Sequence, residues 1–470
     1  MSAVVEAPAG RITGRAAGGS RVFLGIPYGR PPVGALRWRP PEPAAPGIEI
    51  DATRPGPAPP QIHRPLPPWA PGTRAQPYAE DCLNLDIYAP ARSGGPRPVI
   101  VHAFGGGFQG GSAGGLGIDG ARFAATRDCI LVRVNMRTGA LGFLHLAEAF
   151  PGLPQTNRGM LDLILALTWV RDNIAAFGGD PGRVTLAGLS SGAFTATALF
   201  GCPEARGLFH AAWLMSGPAS RIVAPDTAAA VTRAFLDETD VPAGDIGALE
   251  RLPVGAVLAA QEASVASDLG ARNAPGGRTL GIVQDGASLA RHPRDALQDG
   301  AGRDVGIVFG CTAQEARMWY AAGIMGAVDE ARLLQTIRRF EGAGAEAARD
   351  RLRAHHPDAS PRRLEERYLS DVIYRRPVIE SAEAQRRGGG QAATYCFQWA
   401  PAGAHAELGA SHGFDEPFVF DTPVPVMTDS PADASLRQEM SDALLQLART
   451  GRPGWAGDRV FGDAGAAAGL

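Results

Sequence analysis

Lysine is absent from this chain of 470 residues, and all 45 of its basic residues are arginine. A chain without lysine cannot form a Schiff base through a side-chain amine, attach pyridoxal phosphate or supply the lysine of a phosphate-binding loop. The composition alone therefore excludes enzymes that depend on such a lysine.

Cysteine is scarce, and long apolar runs are missing. The five cysteines are scattered and show no C-x-x-C spacing, which argues against a disulfide framework and a metal site. The first 20 residues hold no apolar run of signal-peptide length, and no stretch approaches the roughly 18 apolar residues of a membrane span. The net charge of -3 favours neither nucleic acid nor an anionic membrane as partner. We expect a cytoplasmic protein, and nothing in the sequence sets an oligomeric state.

Short apolar segments alternate with segments of helical periodicity. Apolar runs predict strands at 21–26, 83–88, 98–103, 129–134, 183–187, 207–215 and 304–309, and helical spacing predicts helices at 158–177 and 193–200. The proline-rich stretch 39–76 is predicted to be mostly irregular. Alternation of this kind indicates the α/β class, with a large, mostly parallel sheet covered by helices on both faces.

Two further segments differ from this core in composition and in the spacing of their apolar residues. Residues 225–301 and 318–390 are predicted to be helical insertions, and the second carries interleaved arginines and acidic residues typical of solvated helix faces. We interpret residues 1–470 as a single domain in which these insertions form a cap and pocket walls over the active site.

The sequence around Ser190 matches G-x-S-x-G, between a predicted strand and a predicted helix. In that context the chain turns sharply, the serine projects from the sheet edge, and the positive end of the helix faces developing negative charge. Ser112 matches the same pattern, but it lies in a glycine tract with no helix after it. Ser190 is therefore the candidate nucleophile.

A glycine-rich loop follows the predicted strand 98–103. Gly106 and Gly107 are candidate donors for an oxyanion, because backbone N–H groups can approach closely where no side chain obstructs them; the N–H of Ser191 would be the third. The loop also satisfies G-x-G-x-x-G, the dinucleotide-binding pattern. We disfavour that alternative because no helix opens after it and the next strand ends in Asn135 rather than an acidic residue.

Longer motifs occur in order along residues 1–455: FLGIPYGRPPVGALRWRPPEP (23–43), EDCLNLDIY (80–88), GGGFQGGS (105–112), NMRTGALGFL (135–144), DNIAAFGGDPGRVTLAGLSSGA (172–193), GCTAQEA (310–316), GASHGFDEPFVF (409–420) and LARTGRPG (447–454). In these motifs the chain resembles the type-B carboxylesterase family, which includes cholinesterases and bacterial p-nitrobenzyl esterases. The resemblance implies an α/β-hydrolase fold and a triad of Ser190, Glu315 and His412, in the chain order that such hydrolases use.

The chain departs from the family pattern at several positions. Leu189 replaces the glutamate beside the nucleophile, which argues against a cationic, cholinesterase-like substrate. Phe104 stands where a histidine often precedes the glycines. Cys82 has Pro59 at its usual partner position, so that disulfide cannot form. Glu416 replaces an apolar residue after His412.

The resemblance implies a serine esterase that acts through an acyl-enzyme on a small-molecule ester, without metal or cofactor. Four apolar residues are candidates for the walls of the substrate pocket, although each is also a plausible core residue: Phe104, Phe108, Leu189 and Phe194. The alternatives left open are use of the same machinery on amides, carbamates or thioesters, and a non-catalytic interaction module of the same fold.

Overall fold

A computed structural model describes residues 2–63, 69–92, 94–153, 156–266, 268–427 and 430–462. Its strands are β1 (Ser2–Ala7), β2 (Gly10–Ala17), β3 (Ser20–Pro27), β4 (Ile48–Asp51), β5 (Asn84–Pro90), β6 (Arg97–Ala103), β7 (Ile130–Val134), β8 (Gly179–Leu189), β9 (Ala211–Met215), β10 (Ile222–Val223), β11 (Ile282–Val283), β12 (Gly306–Thr312), β13 (Ala392–Phe397) and β14 (Gly457–Phe461).

The α-helices are α1 (Gly120–Arg127), α2 (Gly139–Phe143), α3 (Arg158–Asn173), α4 (Ser191–Ala198), α5 (Pro225–Asp237), α6 (Ile246–Arg251), α7 (Val254–Ser264), α8 (Leu269–Asn273), α9 (Pro293–Gln298), α10 (Arg317–Ala321), α11 (Glu330–Glu341), α12 (Ala345–His355), α13 (Pro361–Ser370), α14 (Arg376–Arg387), α15 (Glu416–Val419) and α16 (Pro431–Thr450). Short 3-10 segments supplement them, and one π-helical turn, Asp371–Arg375, joins α13 to α14.

One large sheet organises the molecule, in the order β1-β2-β3-β5-β7-β6-β8-β9-β12-β13-β14, with β4 beside β2. The strands from β1 through β5 to β7 pair antiparallel, and those from β7 to β14 pair parallel. The α/β class and the mostly parallel sheet predicted from the sequence are confirmed.

Both faces of the parallel strands are buried, which explains why these strands read as continuous apolar runs. In β6, Val99 and Val101 face one hydrophobic core while Ile100 faces the other. Helices α3 and α4 contribute to the first core, and α1 and α16 to the second. The loops at the carboxyl ends of the central strands are thereby held on a rigid frame.

Several boundaries differ from those predicted. The predicted helix 158–177 is α-helical only to Asn173, and its last four residues form the 3-10 segment Ile174–Phe177, which ends at Gly178 with φ 90°. The helix after the nucleophile begins at Ser191, two residues before the predicted start. The stretch 39–76 contains the short strand β4, and its residues 64–68 lie outside the described residues.

Candidate active site

Ser190 lies at a sharp turn between β8 and α4. Its backbone has φ 52° and ψ -124°, a combination that is unfavourable for a residue with a side chain. The flanking glycines permit the turn, because a Cβ on Gly188 would lie 2.8 Å from the nitrogen of Ala193 and a Cβ on Gly192 would lie 2.2 Å from the oxygen of Ala103. The geometry is that of a nucleophile elbow.

Ser112, the other serine in a G-x-S-x-G match, lies in the loop between β6 and α1. Its hydroxyl accepts hydrogen bonds from the Gln76 side chain at 2.7 Å and from the N–H of Gly114 at 3.1 Å. The helix that follows begins only at Gly120. Ser112 therefore stabilises a loop and has no elbow geometry.

His412 and Glu315, far apart in sequence, are in direct contact. The Nδ1 atom of His412 lies 2.5 Å from Oε2 of Glu315. The other carboxylate oxygen accepts hydrogen bonds from the Ser216 hydroxyl at 2.6 Å and from the N–H of Thr312 at 2.8 Å. Because a carboxylate only accepts, this contact fixes the proton of His412 on Nδ1 and leaves Nε2 as a base.

The loops that carry Glu315 and His412 are joined by Gln314. Its N–H donates to the oxygen of Ala410 at 3.0 Å, and its side-chain oxygen accepts from the N–H of Ala410 at 2.9 Å. Gly409 is required at this junction, because it has φ 56° and an added Cβ would lie 2.0 Å from the Gln314 side-chain oxygen.

Aromatic rings and the elbow surround the histidine. The rings of Trp319 and Tyr374 lie 5.0 and 5.1 Å from the His412 ring. A Cβ added to Gly413 would lie 3.4 Å from the Leu189 side chain, so the histidine loop meets the elbow loop. Ser190 and His412 are only 7% and 8% exposed. The polar chemistry of this region is therefore shielded from bulk water.

The glycine loop after β6 packs directly against the elbow. A Cβ on Gly105 would lie 3.2 Å from the Cβ of Ser190 and 3.1 Å from the oxygen of Leu189, closer than ordinary van der Waals contact. Gly106 and Gly107 have φ of 149° and 63°. Among the described residues, none accepts a hydrogen bond from the N–H of Gly106, Gly107 or Ser191. These three donors are thus available to a ligand beside Ser190.

The four candidate pocket residues occupy different surroundings. Phe108 and Phe194 are buried with ring centroids 6.5 Å apart, and Leu189 is half-buried against the histidine loop. The ring of Phe104 is buried against Gly111, and within the described residues it makes no ring contact with Phe108 or Phe194. The structure brings three of the four to the loops around Ser190 and turns the fourth toward the packed glycine loop.

The departure at Glu416 has a structural partner. Its Oε1 lies 2.9 Å from Nε2 of His102, a buried residue of β6. Burial lowers the pKa of His102, and the contact with Glu416 opposes that effect. Next to Glu416, Asp415 is fully buried and accepts a hydrogen bond from the Tyr395 hydroxyl at 2.5 Å. Burial raises the pKa of Asp415 to about 7.

Comparison with known proteins identifies the family. The model of the "Carboxylesterase family" matches residues 1–464. The para-nitrobenzyl esterase of Bacillus subtilis (strain 168) is 30% identical over 463 residues, which cover 96% of this chain and 88% of that protein. The chain belongs to the carboxylesterase family. It is a serine hydrolase of carboxylic esters with the α/β-hydrolase fold.

Further relatives agree with the carboxylesterase assignment. The phenmedipham hydrolase of Pseudarthrobacter oxydans is 32% identical over 469 residues, covering 96% of this chain and 90% of that one. The Geobacillus stearothermophilus carboxylesterase EST55 superposes with a TM-score of 0.84 at 33% identity, covering 96% of this chain and 92% of that structure. In the described part of this carboxylesterase, no helix is both long and apolar enough to cross a bilayer.

Sequence reasoning missed several residues of the carboxylesterase site. Ser216, which binds Glu315, directly follows β9, and its place at the carboxyl end of a parallel strand is a signal that could have found it. Trp319 and Tyr374 lie on helical segments whose periodicity does not distinguish a ring beside the histidine from an ordinary core residue.

Proposed function

We propose that Ser190 is the nucleophile of this carboxylesterase, His412 its general base and Glu315 the acid that orients the histidine. The observation that carries the proposal is the 2.5 Å contact between His412 and Glu315, in loops that meet the turn presenting Ser190. The positive φ of Ser190 also supports the proposal, because strained backbone of this kind is maintained by the surrounding structure and is concentrated at active sites.

The reaction runs through an acyl-enzyme. Nε2 of His412 takes the proton from the Ser190 hydroxyl as its oxygen attacks the ester carbonyl. Glu315, ionised, stabilises the imidazolium. When the tetrahedral intermediate collapses, His412 gives that proton to the leaving alcohol. A water molecule then repeats the cycle, and the carboxylic acid leaves with Ser190 restored.

The N–H groups of Gly106, Gly107 and Ser191 form the oxyanion hole in this proposal. Their availability beside Ser190 supports it, as does the position of Ser191 at the first turn of α4, where the helix dipole favours negative charge. One such donor is worth about 3 kcal/mol of transition-state stabilisation.

We also propose that the chain is a single domain in which 225–301 and 318–390 form the cap and pocket walls. Trp319 and Tyr374, from the second segment, lie against His412. From the first, Gly281 approaches Phe108, since a Cβ added there would lie 3.7 Å from that ring. Phe108, Phe194 and Leu189 would line the substrate, and Phe104 would support the glycine loop behind them.

A cytoplasmic location is part of the proposal. All five cysteines are free thiols, and Cys311 and Cys396 form no disulfide although they are directly paired on β12 and β13. An oxidising compartment would favour their reaction. Fractionation of cells that make the protein, with thiol counting on the recovered enzyme, tests this point.

Active-site labelling tests the triad. A fluorophosphonate probe should modify Ser190, as mapped by mass spectrometry, and Ser190→Ala should lose labelling and reduce turnover of p-nitrophenyl butyrate by roughly a thousandfold or more. Ser112→Ala is the matched control, because it removes the serine of the second G-x-S-x-G match; it should keep labelling and turnover. Labelling at another residue, or full turnover by Ser190→Ala, would refute the assignment.

A further inference from the structure

A cavity of about 440 Å³ lies beside the catalytic loops. Its walls come mainly from the segments 220–224, 272–281 and 372–377. At Gly281 it meets Phe108 of the oxyanion loop, and Ile373 on its wall precedes Tyr374, whose ring contacts His412. The cavity therefore adjoins residues that neighbour Tyr374 and Phe108, the rings next to His412 and in the oxyanion loop.

Arg221 carries a positive charge on this wall. Its guanidinium stacks on Phe108 and Phe194, 5.4 and 5.1 Å from their ring centroids, and no described carboxylate forms an ion pair with it. Its φ of 54° is unfavourable for a residue with a Cβ, so the fold enforces this placement. Burial lowers the pKa of Arg221 to about 10, and the group therefore remains charged at neutral pH.

Arg272 adds a second charge on the same wall. It too has no ion-pair partner among the described residues, and its buried Nε atom has no hydrogen bond. The acidic group that acts on it, Asp268, is already bound to Arg332 at 2.8 Å, to Arg339 at 3.4 Å and to the N–H of Ala271 at 2.7 Å. Burial lowers the pKa of Arg272.

Two more unsatisfied polar atoms lie on residues of this cavity. The Ser220 hydroxyl and the Asn273 side-chain oxygen are buried without a hydrogen-bond partner in the described structure. Buried charges in proteins are normally paired, and buried polar atoms are normally hydrogen-bonded. Two half-buried guanidinium groups without a carboxylate partner, on residues of the same cavity as the Ser220 hydroxyl, are therefore suited to bind an anion.

We infer that this cavity binds a carboxylate carried by the acyl part of the substrate, so that the preferred substrates are monoesters of dicarboxylic acids. The inference rests on the proposed function, because it needs the acyl group bonded to Ser190. That group would lie at the first turn of α4, and Phe194 of the same helix is the ring on which Arg221 stacks. Planar guanidinium groups suit a carboxylate because they donate two parallel hydrogen bonds.

A pair of esters of equal chain length measures the preference. The wild type should show a higher kcat/KM for the p-nitrophenyl monoester of glutaric acid than for p-nitrophenyl pentanoate. Arg221→Met and Arg272→Met should each lower the ratio of these two values by about 10- to 100-fold, because the ratio corrects for any change that the two esters share. Arg221→Lys should recover part of the ratio, because it keeps the charge and loses the planar fork.

Arg278→Met is the matched control, since Arg278 is an exposed arginine of the same loop that does not line the cavity; its ratio should equal that of the wild type. A series from succinate to pimelate should show one optimal chain length. If the cavity binds the substrate's own carboxylate, free glutarate should be a competitive inhibitor of monoester hydrolysis. If the cavity instead binds an independent anion, glutarate would change the rate of pentanoate hydrolysis without competing with the monoester, and the inference would be wrong.

The outcomes separate this inference from the proposed function. The inference would be overturned if the ratio of kcat/KM for the two esters were the same in the wild type and both methionine variants. It would also be overturned if the enzyme preferred 4-carboxyphenyl butyrate to phenyl butyrate and showed no preference for a carboxylate on the acyl side. In both cases pentanoate hydrolysis and Ser190 labelling would persist. Loss of Ser190 labelling and of all ester turnover would instead overturn the proposed function.

Discussion

Gln314 and Ala410 exchange two hydrogen bonds, and through them the loop of Glu315 holds the loop of His412. This junction lies outside the triad itself. It fixes the distance between two loops that leave different strands, so the imidazole is positioned before any substrate arrives. Preorganisation of this kind lowers the cost of reaching the transition state.

Replacing Gln314 should therefore weaken catalysis more than binding. Gln314→Ala should lower kcat by about tenfold with KM little changed, because the acceptor that holds Ala410 is lost. Steady-state kinetics on p-nitrophenyl butyrate measures both constants. Gln314→Glu keeps an acceptor at the same place and should lose less. An unchanged kcat in Gln314→Ala would show that the histidine loop is held by its other contacts.

The two carboxylate oxygens of Glu315 have different partners. Loss of the carboxylate charge and loss of the Ser216 hydrogen bond should therefore differ in their effect on kcat. Glu315→Gln keeps the shape but loses the charge that stabilises the imidazolium, and kcat should fall by about three to four orders of magnitude. Ser216→Ala removes only one hydrogen bond to the carboxylate and should cost about tenfold. Equal losses in the two variants would contradict the separate roles, and melting temperatures close to that of the wild type would report an intact fold.

Gly106 should not tolerate a side chain. In Gly106→Ala the new Cβ would lie 2.0 Å from the oxygen of Gly110, and the φ of 149° is unfavourable for alanine. The loop must shift, and kcat should fall by about two to three orders of magnitude as an oxyanion donor moves away. Gly95→Ala, at a glycine with open space around it, is the control and should keep wild-type kinetics.

Asp415 should make stability depend on pH. Its folded-state pKa of about 7 lies above the value of about 3.9 in an unfolded chain, so the folded protein retains a proton that the unfolded chain has released. Its stabilising contribution is complete below about pH 4 and is lost as the pH rises toward 7. Asp415→Asn should gain thermal stability relative to the wild type across that window, by an amount on the order of a few kcal/mol. Parallel melting curves for the exposed variant Asp226→Asn provide the control.

The five thiols should differ in reactivity. A hydrogen bond from Cys311 lowers the pKa of the half-buried Cys396, whereas burial raises the pKa of Cys129 and Cys202 to about 12 and raises that of Cys82 further. Because the thiolate is the reactive form, iodoacetamide should modify Cys396 first in the native enzyme. Mass-spectrometric mapping of the first modified peptide checks this order, and faster modification of a buried thiol would contradict it.

The sequence was most informative where a local pattern reports burial directly. Strands buried on both faces show continuous apolar runs, and for that reason the parallel core was predictable. Strands β1 and β2, at one side of the sheet, mix small and polar residues with a few apolar ones and show no continuous apolar run. The long helix α16 was also not predicted, although its buried face contributes to the second core.

The site residues likewise divide into those that a local sequence pattern predicts and those that only the fold brings together. Ser190 was found from residues next to it in the chain, because the elbow is a local turn. The contact between His412 and Glu315 spans 97 residues, and only the family resemblance pointed to it. The sequence does not distinguish Arg221 and Arg272 from the other arginines, since arginine is usually exposed and only the folded chain shows that these two are half-buried in one cavity.

The contact between His102 and Glu416 joins β6 to the segment just after the catalytic histidine. Exchanging either residue alone for an apolar one would leave the other enclosed without its partner, at a cost of about 1–3 kcal/mol. Grafting the segment around position 412 from another carboxylesterase into this chain must therefore transfer position 102 as well, and chimaeras with a crossover between the two should be recovered folded less often than those that inherit both from one parent.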